Sequence, residues 1–418
     1  MPFSGAGTLI PPTVLVDDEL HLEVAGVPME IVWIPSEANT EIGVWLPDHG
    51  VLQTAECVQG ECYPNVYTIR GDVPRPAQRW VDALDNLRAY PAEALAKSHG
   101  RCIVGSDDAA EHLLAYRDSI AWMHDQTVRW MNNGLDPDQI VERIGDLPDH
   151  LAAHRHCGVE GYGAVSHSSR SVYSWYLGFN TGTVTDFDPA TVERRARGYV
   201  QLAGGRQALL ENAAGAHAEG DNQWAIELLG WLLKSDPGDA EARRLSAAAH
   251  RARGLEQHNA TWRNWYLTAA LELDGVLPME FSMAPSGIYA GLPTSVLLTT
   301  AAVRLAAERT ADLRLRIGID VAGVADGRHT IELRGSVLDH HAGDGDTSAT
   351  IIFTNKAAII RWAAGGERLP ALVDEGICRI DGSAEDALLL DRSLDDAPSM
   401  FDIYVTLHSH LSELPKDQ

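Results

Sequence analysis

The sequence predicts three structural parts in succession: a mixed α/β part over residues 1–134, an all-α part over 135–274 and an α+β part over 285–412. Three observations support this division. Short β-type runs separated by Pro, Asn, Asp and Gly dominate the first part. The second part is almost wholly helical, beginning with the helix start Leu135-Asp136-Pro137-Asp138 and divided by Gly220-Asp221 and Asp236-Pro237-Gly238-Asp239. In the third part, apolar residues alternate with other residues over 313–321, as they do in a half-buried strand.

The first part contains short strand-like runs followed by two helical stretches. Strands are predicted over residues 13–16, 20–24, 29–34, 43–46 and 51–54. Helices are predicted over 76–96 and 107–133, and apolar residues in the second of these follow the helical period. This order gives the first part its mixed α/β character.

The second part includes three consecutive helices, predicted over 204–219, 222–235 and 239–253. Gly220-Asp221-x3-Ala225-x2-Leu228, later followed by Asp236-Pro237, resembles a tetratricopeptide helix pair, although a generic helical hairpin fits the same residues. One or two such repeats do not form a free-standing solenoid. We therefore expect these helices to pack against a neighbouring element or a second copy of the chain.

The third part follows a linker over residues 275–290 and mixes helices with strands. Helices are predicted over 294–309, 357–363, 369–375 and 384–390. Strands are predicted over 313–321, 330–338, 349–353 and 378–380. The result is a compact α+β unit.

The charge of the chain excludes several classes of partner. The 418 residues carry 33 Lys and Arg against 59 Asp and Glu, for a net charge of −26. Such a chain repels nucleic-acid phosphates and anionic membranes. The sequence has no apolar run of about 18 residues and no recognisable signal peptide, and it leaves the cellular location open. Five cysteines do not make a disulfide framework.

Two carboxylates and one histidine follow predicted strands of the first part. Glu37 comes just after the strand at 29–34, and Glu56 comes just after the strand at 51–54. His99 follows residues 91–96. Ligands of α/β sheets gather at the carboxyl ends of strands, and these side chains are suited to a divalent metal. The alternative is that they are ordinary loop residues.

Two further segments contain polar side chains suited to an anionic substrate. In the segment 65–71, Arg70 can pair with a tetrahedral oxyanion and Asn65 adds a neutral donor. Arg70 can equally pair with a surface acid. His167, at a predicted helix start close to Arg and Tyr residues, is a candidate general acid. The alternative is a capping or core histidine.

Together, these segments resemble the alkyl sulfatases of the metallo-β-lactamase superfamily, which hydrolyse alkyl sulfates such as dodecyl sulfate. The resemblance rests on an ordered set of motifs, among them Leu9-Ile10-Pro11-Pro12, Pro35-Ser36-Glu37, Ala55-Glu56, Asn65-x-Tyr67-Thr68-x-Arg70-Gly71, Gly161-Tyr162-Gly163-x-Val165-Ser166-His167 and Tyr176-Leu177-Gly178. It implies the C-terminal half of a metallo-β-lactamase fold over the first part. It also implies a helical dimerisation domain and a last domain similar to sterol carrier protein 2 (SCP-2), which holds alkyl chains.

The resemblance also implies roles for individual residues. Glu37 would bind one zinc ion, Glu56 would bridge two, and His99 would bind the second. Asn65 and Arg70 would hold the sulfate group.

His167 would act as an acid near the ester oxygen, with Tyr176 as its companion. The family's His-x-His-x-Asp-His motif, which supplies most of the zinc ligands, does not occur in these residues. We therefore expect a zinc-dependent alkyl sulfatase, with two Zn²⁺ per complete site, that is inactive on its own. The alternative is a non-catalytic homodimer that binds apolar chains in its last domain.

Overall fold

A computed structural model describes residues 12–67, 69, 75–276 and 289–396, which form two compact units. The first unit comprises the described residues between 14 and 276, and the second comprises residues 289–396. The predicted α/β and all-α parts thus belong to one compact body. In the described part of the chain, no helix has the length and apolarity needed to cross a bilayer.

A six-stranded sheet opens the first unit, with its strands side by side in chain order. The strands are β1 (Glu19–Val24), β2 (Val27–Trp33), β3 (Ile42–Leu46), β4 (Val51–Gln53), β5 (Ala94–Ala96) and β6 (Ile103–Val104). Neighbouring strands are antiparallel except β4 and β5, which are parallel. It follows that β2, β4 and β5 all run in one direction, so that their carboxyl ends lie at the same edge.

One face of this sheet packs against two helices, α1 (Ala77–Leu87) and α2 (Ser106–Met131). Trp45, Leu52 and Leu95 lie in register across β3, β4 and β5 and are buried in a common core with residues of both helices. Burying this row of apolar side chains is the main stabilising contribution at this face.

Two predictions for this part of the chain are wrong. Residues 13–16 form no strand, and Leu15 is exposed. The helix predicted over 76–96 ends at Leu87, and Ala94–Ala96 form β5 instead. Pro91 explains the helix end, because proline disfavours helical backbone before it and cannot donate a helical hydrogen bond. Leu95 then becomes fully buried by pairing beside β4.

The rest of the first unit is helical. The helices are α3 (Pro137–Ile144), α4 (Asp149–Ala152), α5 (Val165–Leu177), α6 (Val192–Leu202), α7 (Arg206–Ala218), α8 (Asn222–Ser235), α9 (Ala240–Glu256) and α10 (Ala260–Leu273). The side chains of Asp221, Asp239 and Asn259 accept hydrogen bonds from the first backbone N–H groups of α8, α9 and α10, which fixes where these helices begin.

The second unit is an α+β fold built on a five-stranded sheet in the order β11-β10-β7-β8-β9. Its elements are α11 (Thr294–Ala302), β7 (Arg314–Val321), β8 (Arg328–Arg334), β9 (Val337–Ala342), β10 (Ala349–Phe353), α12 (Lys356–Ala363), α13 (Leu369–Asp374), β11 (Cys378–Gly382) and α14 (Ala384–Arg392).

Two predicted boundaries in this unit are wrong. The helix predicted over 294–309 ends at Ala302, and only a 3-10 turn follows at Ala307–Arg309. The strand predicted over 330–338 is interrupted between β8 and β9, where Gly335 has a φ of 63°. A left-handed glycine favours a tight turn, so the chain reverses there instead of continuing straight.

Candidate functional site

The three predicted metal ligands lie together at one edge of the six-stranded sheet. Glu37 follows β2, Glu56 lies in a 3-10 turn after β4, and His99 follows β5. The Nε2 atom of His99 is 2.9 Å from Oε1 of Glu56. Burial raises the pKa of Glu56, and a hydrogen bond with the carboxyl group of Glu37 raises it further. The strand directions therefore place Glu56 beside both Glu37 and His99, although the ligand atoms of the three do not all lie within 4.8 Å of one another.

A third carboxylate, Glu41, holds the two acidic loops in place. It accepts hydrogen bonds from the Ser36 hydroxyl and from the backbone N–H of Glu56. Burial raises the pKa of Glu41. Ala55, which precedes Glu56, has a left-handed φ of 46°, a strained conformation for a residue with a Cβ atom. Sequence reasoning missed Glu41, because nothing local distinguishes it from a surface acid.

Arg75 and Gln59 connect Glu37 to Asn65. The Arg75 guanidinium donates to Oε1 of Glu37 over 2.6 Å and to the Asn65 carbonyl over 2.5 Å. The Gln59 amide donates to the other oxygen of Glu37, and its carbonyl oxygen accepts from the Asn65 N–H over 2.7 Å. Two side chains thus fix the predicted metal ligand relative to the predicted sulfate-binding residue.

Sequence reasoning assigned the anion-binding arginine to Arg70, which lies outside the described residues. Arg75, five positions later, was not predicted to belong to the site, although it contacts both Glu37 and Asn65 there. The signal that could have found it is its position between Pro74 and Pro76, where the chain has little conformational freedom.

A narrow polar cleft and a large apolar cavity share a wall. Asn65, Tyr162 and Thr261 line the cleft. The cavity has a volume of about 860 Å³ and is lined mainly by residues of α5, α9 and α10. Ile69, His167 and Trp262 line both spaces.

His167 is held by Trp262 at this shared wall. The indole N–H of Trp262 donates to Nδ1 of His167 over 3.2 Å, and the two ring centroids are 4.5 Å apart. Burial, with a smaller contribution from the charge of Arg170, lowers the pKa of His167 to about 4. At neutral pH the ring is therefore uncharged, and because Nδ1 accepts a hydrogen bond, the proton lies on Nε2.

Tyr176 lies apart from His167 and Trp262. Its hydroxyl is 2.9 Å from Nε2 of His124, and its side chain is half exposed. It follows His167 by nine residues along α5, about 13 Å at 1.5 Å per residue. The structure therefore does not bring Tyr176 to the cleft with His167.

Known protein families and relatives match most of the chain. A sequence model described as alkyl sulfatase dimerisation matches residues 136–275, and another described as alkyl sulfatase C-terminal matches residues 282–406. The chain is 39% identical over 349 residues to a linear primary-alkylsulfatase from Pseudomonas, covering 81% of this chain and 66% of that protein. This chain belongs to the alkyl sulfatase family.

Two other relatives extend the match. An (R)-specific secondary-alkylsulfatase from Pseudomonas is 29% identical over 396 residues, covering 91% of this chain and 58% of that protein. The solved structure of the stereoselective inverting sec-alkylsulfatase Pisa1 from Pseudomonas superposes with a TM-score of 0.84 at 28% identity. The superposition covers 95% of this chain and 63% of that one. The match confirms the predicted fold, and the chain spans about two thirds or less of these alkylsulfatases.

The side chains of Glu37, Glu56 and His99 are chemically suited to form part of a metal site in this member of the alkyl sulfatase family. Two carboxyl groups share a hydrogen bond, with an imidazole beside them. A cation would relieve the repulsion between these carboxylates. The three residues supply too few donors for two metal ions, because a catalytic zinc takes about three protein ligands.

Gly163 controls the position of Asn65. A Cβ atom added at Gly163 would lie 2.1 Å from the carbonyl oxygen of Pro64 and 2.7 Å from the Asn65 nitrogen. We expect Gly163→Ala to displace this backbone and to destabilise the first unit by about 1–3 kcal/mol. Urea unfolding measures the change. Gly161→Ala is the matched control, since its Cβ would meet nothing closer than 3.7 Å. Equal stability of the two variants would contradict the close approach.

His167 is expected to titrate far below an ordinary histidine. Its pKa of about 4 is below the unfolded value, so the folded state favours the neutral ring. The stability contribution is therefore complete above about pH 6.5 and is lost as the pH falls toward 4. NMR titration of the His167 ring protons measures the pKa directly. The exposed His150 supplies a reference resonance in the same spectra. A His167 midpoint near 6.5 would contradict the buried, neutral ring.

Proposed function

We propose that this chain takes part in the zinc-dependent hydrolysis of linear alkyl sulfate esters to an alcohol and sulfate. The observation that carries the proposal is the shared wall between the polar cleft and the cavity of about 860 Å³. An alkyl sulfate has an anionic head and an apolar tail. The polar side chains beside Asn65 would face the head, for which the cleft, at about 10 Å³, would have to widen. The cavity is suited to the tail.

The reaction adds one water molecule: ROSO₃⁻ and H₂O give ROH, SO₄²⁻ and H⁺. Asn65 would donate hydrogen bonds to the sulfate oxygens, together with Arg70 as the family resemblance implies. His167, neutral and protonated at Nε2, would donate a hydrogen bond to an oxygen of the ester.

Glu37, Glu56 and His99 would hold zinc at the sheet edge. Bound zinc would acidify a water molecule and offset the charge of the sulfate group. Arg75 and Gln59 would keep Glu37 oriented for this role, because they occupy its two carboxylate oxygens from the Asn65 side. Glu41 would likewise fix the turn that carries Glu56.

The remaining zinc ligands would come from a polypeptide that carries a His-x-His-x-Asp-His motif. Such a polypeptide would correspond to the part of the alkylsulfatase relatives that this chain does not match. Two copies of the chain would associate through the dimerisation segment at 136–275. The non-catalytic carrier of apolar chains remains the alternative prediction.

Sulfate release from dodecyl sulfate, below its micelle concentration, tests the proposal. The full chain is assayed with Zn²⁺, alone and mixed with the unmatched part of the linear primary-alkylsulfatase. We expect release only in the mixture, falling to background when this chain carries Glu56→Gln. Glu93→Gln, an exposed acid beside β5, is the matched control. A folded, co-purifying mixture that releases no sulfate would overturn hydrolysis and leave the carrier. Release by the chain alone would support hydrolysis and overturn the need for a partner.

A further inference from the structure

Three imidazoles form a cluster outside the site described above. His112 of α2 faces His154 and His156, which follow α4. The ring centroids are 5.8 Å apart for His112 and His154, 5.4 Å for His112 and His156, and 6.0 Å for His154 and His156. Cys157 adjoins these rings, with its Sγ atom 3.3 Å from Nδ1 of His154. We call the three imidazoles the histidine cluster.

Several ring nitrogens of the histidine cluster are buried without a hydrogen-bond partner. His112 is 0% exposed, and neither of its ring nitrogens has a partner. The Nε2 atom of His156 is also buried and unpartnered. An unsatisfied buried polar group costs about 1–3 kcal/mol, so such groups are usually satisfied in native proteins. Three such nitrogens in one cluster are groups that a bound ligand would satisfy.

Burial and nearby positive charges keep the imidazole rings of the histidine cluster uncharged. Burial lowers the pKa of His112 to about 3 and also lowers the pKa values of the other two rings. The charges of Lys97 and Arg155 contribute to these low pKa values, whereas Glu111 and Glu61 act in the opposite direction. Neutral imidazoles retain the lone pairs that metal ions bind, whereas protonated ones do not.

We propose that the histidine cluster and Cys157 bind one transition-metal ion of the Zn²⁺ type, at a site separate from the sheet edge. Tetrahedral zinc with Zn–N bonds of about 2.05 Å places imidazole centroids about 5.2 Å apart. The observed separations of 5.4 to 6.0 Å are close to this value. The same geometry gives a sulfur-to-nitrogen separation of about 3.5 Å, compared with 3.3 Å observed.

Metal binding requires the donor atoms to converge further. It also requires the Cys157 thiol, whose pKa burial raises to about 11, to release its proton to solvent as the metal binds. Among the described residues, only Glu19, His21 and Glu30 have three ligand atoms all within 4.8 Å of one another. That group lies at the sheet surface, where Glu19 pairs with His21 and Tyr90 donates to Glu30. The histidine cluster differs, because bringing its donors together would break no hydrogen bond of the His112 ring or of the His156 Nε2 atom, although His112, 0% exposed, would need its neighbours to shift.

The site would tie α2 to the segment that leads to the cleft. His154 and His156 precede Glu160, whose carboxylate accepts a hydrogen bond from the first N–H of α5 over 2.7 Å. The same segment continues to Gly163 and His167. Four protein donors without an open position are typical of a structural zinc site. The metal would therefore stabilise the cleft wall without taking part in the reaction.

Cobalt substitution tests this inference on the full chain. Metal-free protein is titrated with Co²⁺, whose visible absorption reports tetrahedral coordination. We expect an intense tetrahedral spectrum at one equivalent, with a thiolate charge-transfer band that Cys157→Ser removes. His156→Gln should weaken Co²⁺ binding by at least about 100-fold. The matched control is His150→Gln, on the exposed side of α4. Zn²⁺ should displace Co²⁺ and raise the melting temperature of the wild-type chain.

The Glu56→Gln variant separates this site from the sheet edge. Retention of the cobalt spectrum in Glu56→Gln and its loss in His156→Gln would support the inference. Loss in Glu56→Gln with retention in His156→Gln would place the metal at the sheet edge, overturning the inference and leaving the proposed hydrolysis intact. Absence of a tetrahedral spectrum would also overturn it. His112→Gln is a second ligand variant, with circular dichroism as the check that it folds.

Discussion

Replacing Arg75 by methionine is expected to lower the free energy of unfolding of the first unit by about 3–5 kcal/mol. The Arg75 side chain is 3% exposed and that of its partner Glu37 is 19% exposed. Without the guanidinium, the Glu37 carboxylate remains beside Glu56 with no opposite charge, and the Asn65 carbonyl loses its donor. A buried charge left without its partner is among the most destabilising changes in a protein.

Urea unfolding at neutral pH measures this loss. Tryptophan fluorescence reports on the first unit, since every tryptophan except Trp362 precedes residue 278. Arg88→Met is the matched control, because Arg88 and Asp85 form a pair with both side chains more than a third exposed. We expect the control to lose at most about 1 kcal/mol. Equal losses in the two variants would show that Arg75 is not a buried partner of Glu37.

A double substitution distinguishes the ion pair from a packing effect. Glu37→Met combined with Arg75→Met removes both charges and keeps similar side-chain volumes. We expect the double variant to regain part of the stability lost by Arg75→Met, because no uncompensated charge remains. Additive losses would contradict a direct pair.

The affinity for alkyl sulfates is expected to rise steeply with chain length. Each methylene transferred from water to the apolar cavity contributes up to about 0.8 kcal/mol, which is about a fourfold change in the dissociation constant. Between hexyl and decyl sulfate, four methylenes would improve the dissociation constant by up to about 200-fold. Isothermal titration with each ester below its micelle concentration measures the series. The cavity of about 860 Å³ has room for every member.

A variant that fills the cavity tests where the tail binds. Ala269 lies on α10, is 4% exposed and lines the cavity. Ala269→Phe should reduce the gain per methylene, whereas Leu271→Phe, on the more exposed side of α10, should leave it unchanged. An unaltered slope in Ala269→Phe would place the alkyl tail elsewhere, for example in the second unit as the carrier hypothesis holds.

Most of the candidate metal site could be predicted from the sequence, because strand ends are a local property. Apolar runs located β2 and β4, so Glu37 and Glu56 could be placed at strand ends before any tertiary contact was known. His99 was named for its position after a segment that was predicted as helix. It lies at the same edge because that segment ends in β5, parallel to β4.

The environment of each predicted side chain depended on contacts far along the chain. Arg75 pairs with a carboxylate 38 positions away, and the indole that fixes His167 is 95 positions away. Tyr176 and His167 share α5, yet their separation along the helix axis keeps them from acting together. The histidine cluster likewise joins α2 to a segment more than forty residues later.

The sequence by itself determined the succession of an α/β, an all-α and an α+β part, the helix starts at Asp221 and Asp239, and the chemical types available at the sheet edge. Only the tertiary structure decided which of those groups are buried, which form pairs, and which ring nitrogen of His167 carries the proton. The physical reason is that hydrophobic periodicity and capping act over a few residues. Desolvation and ion pairing instead depend on which distant segments fold against each other.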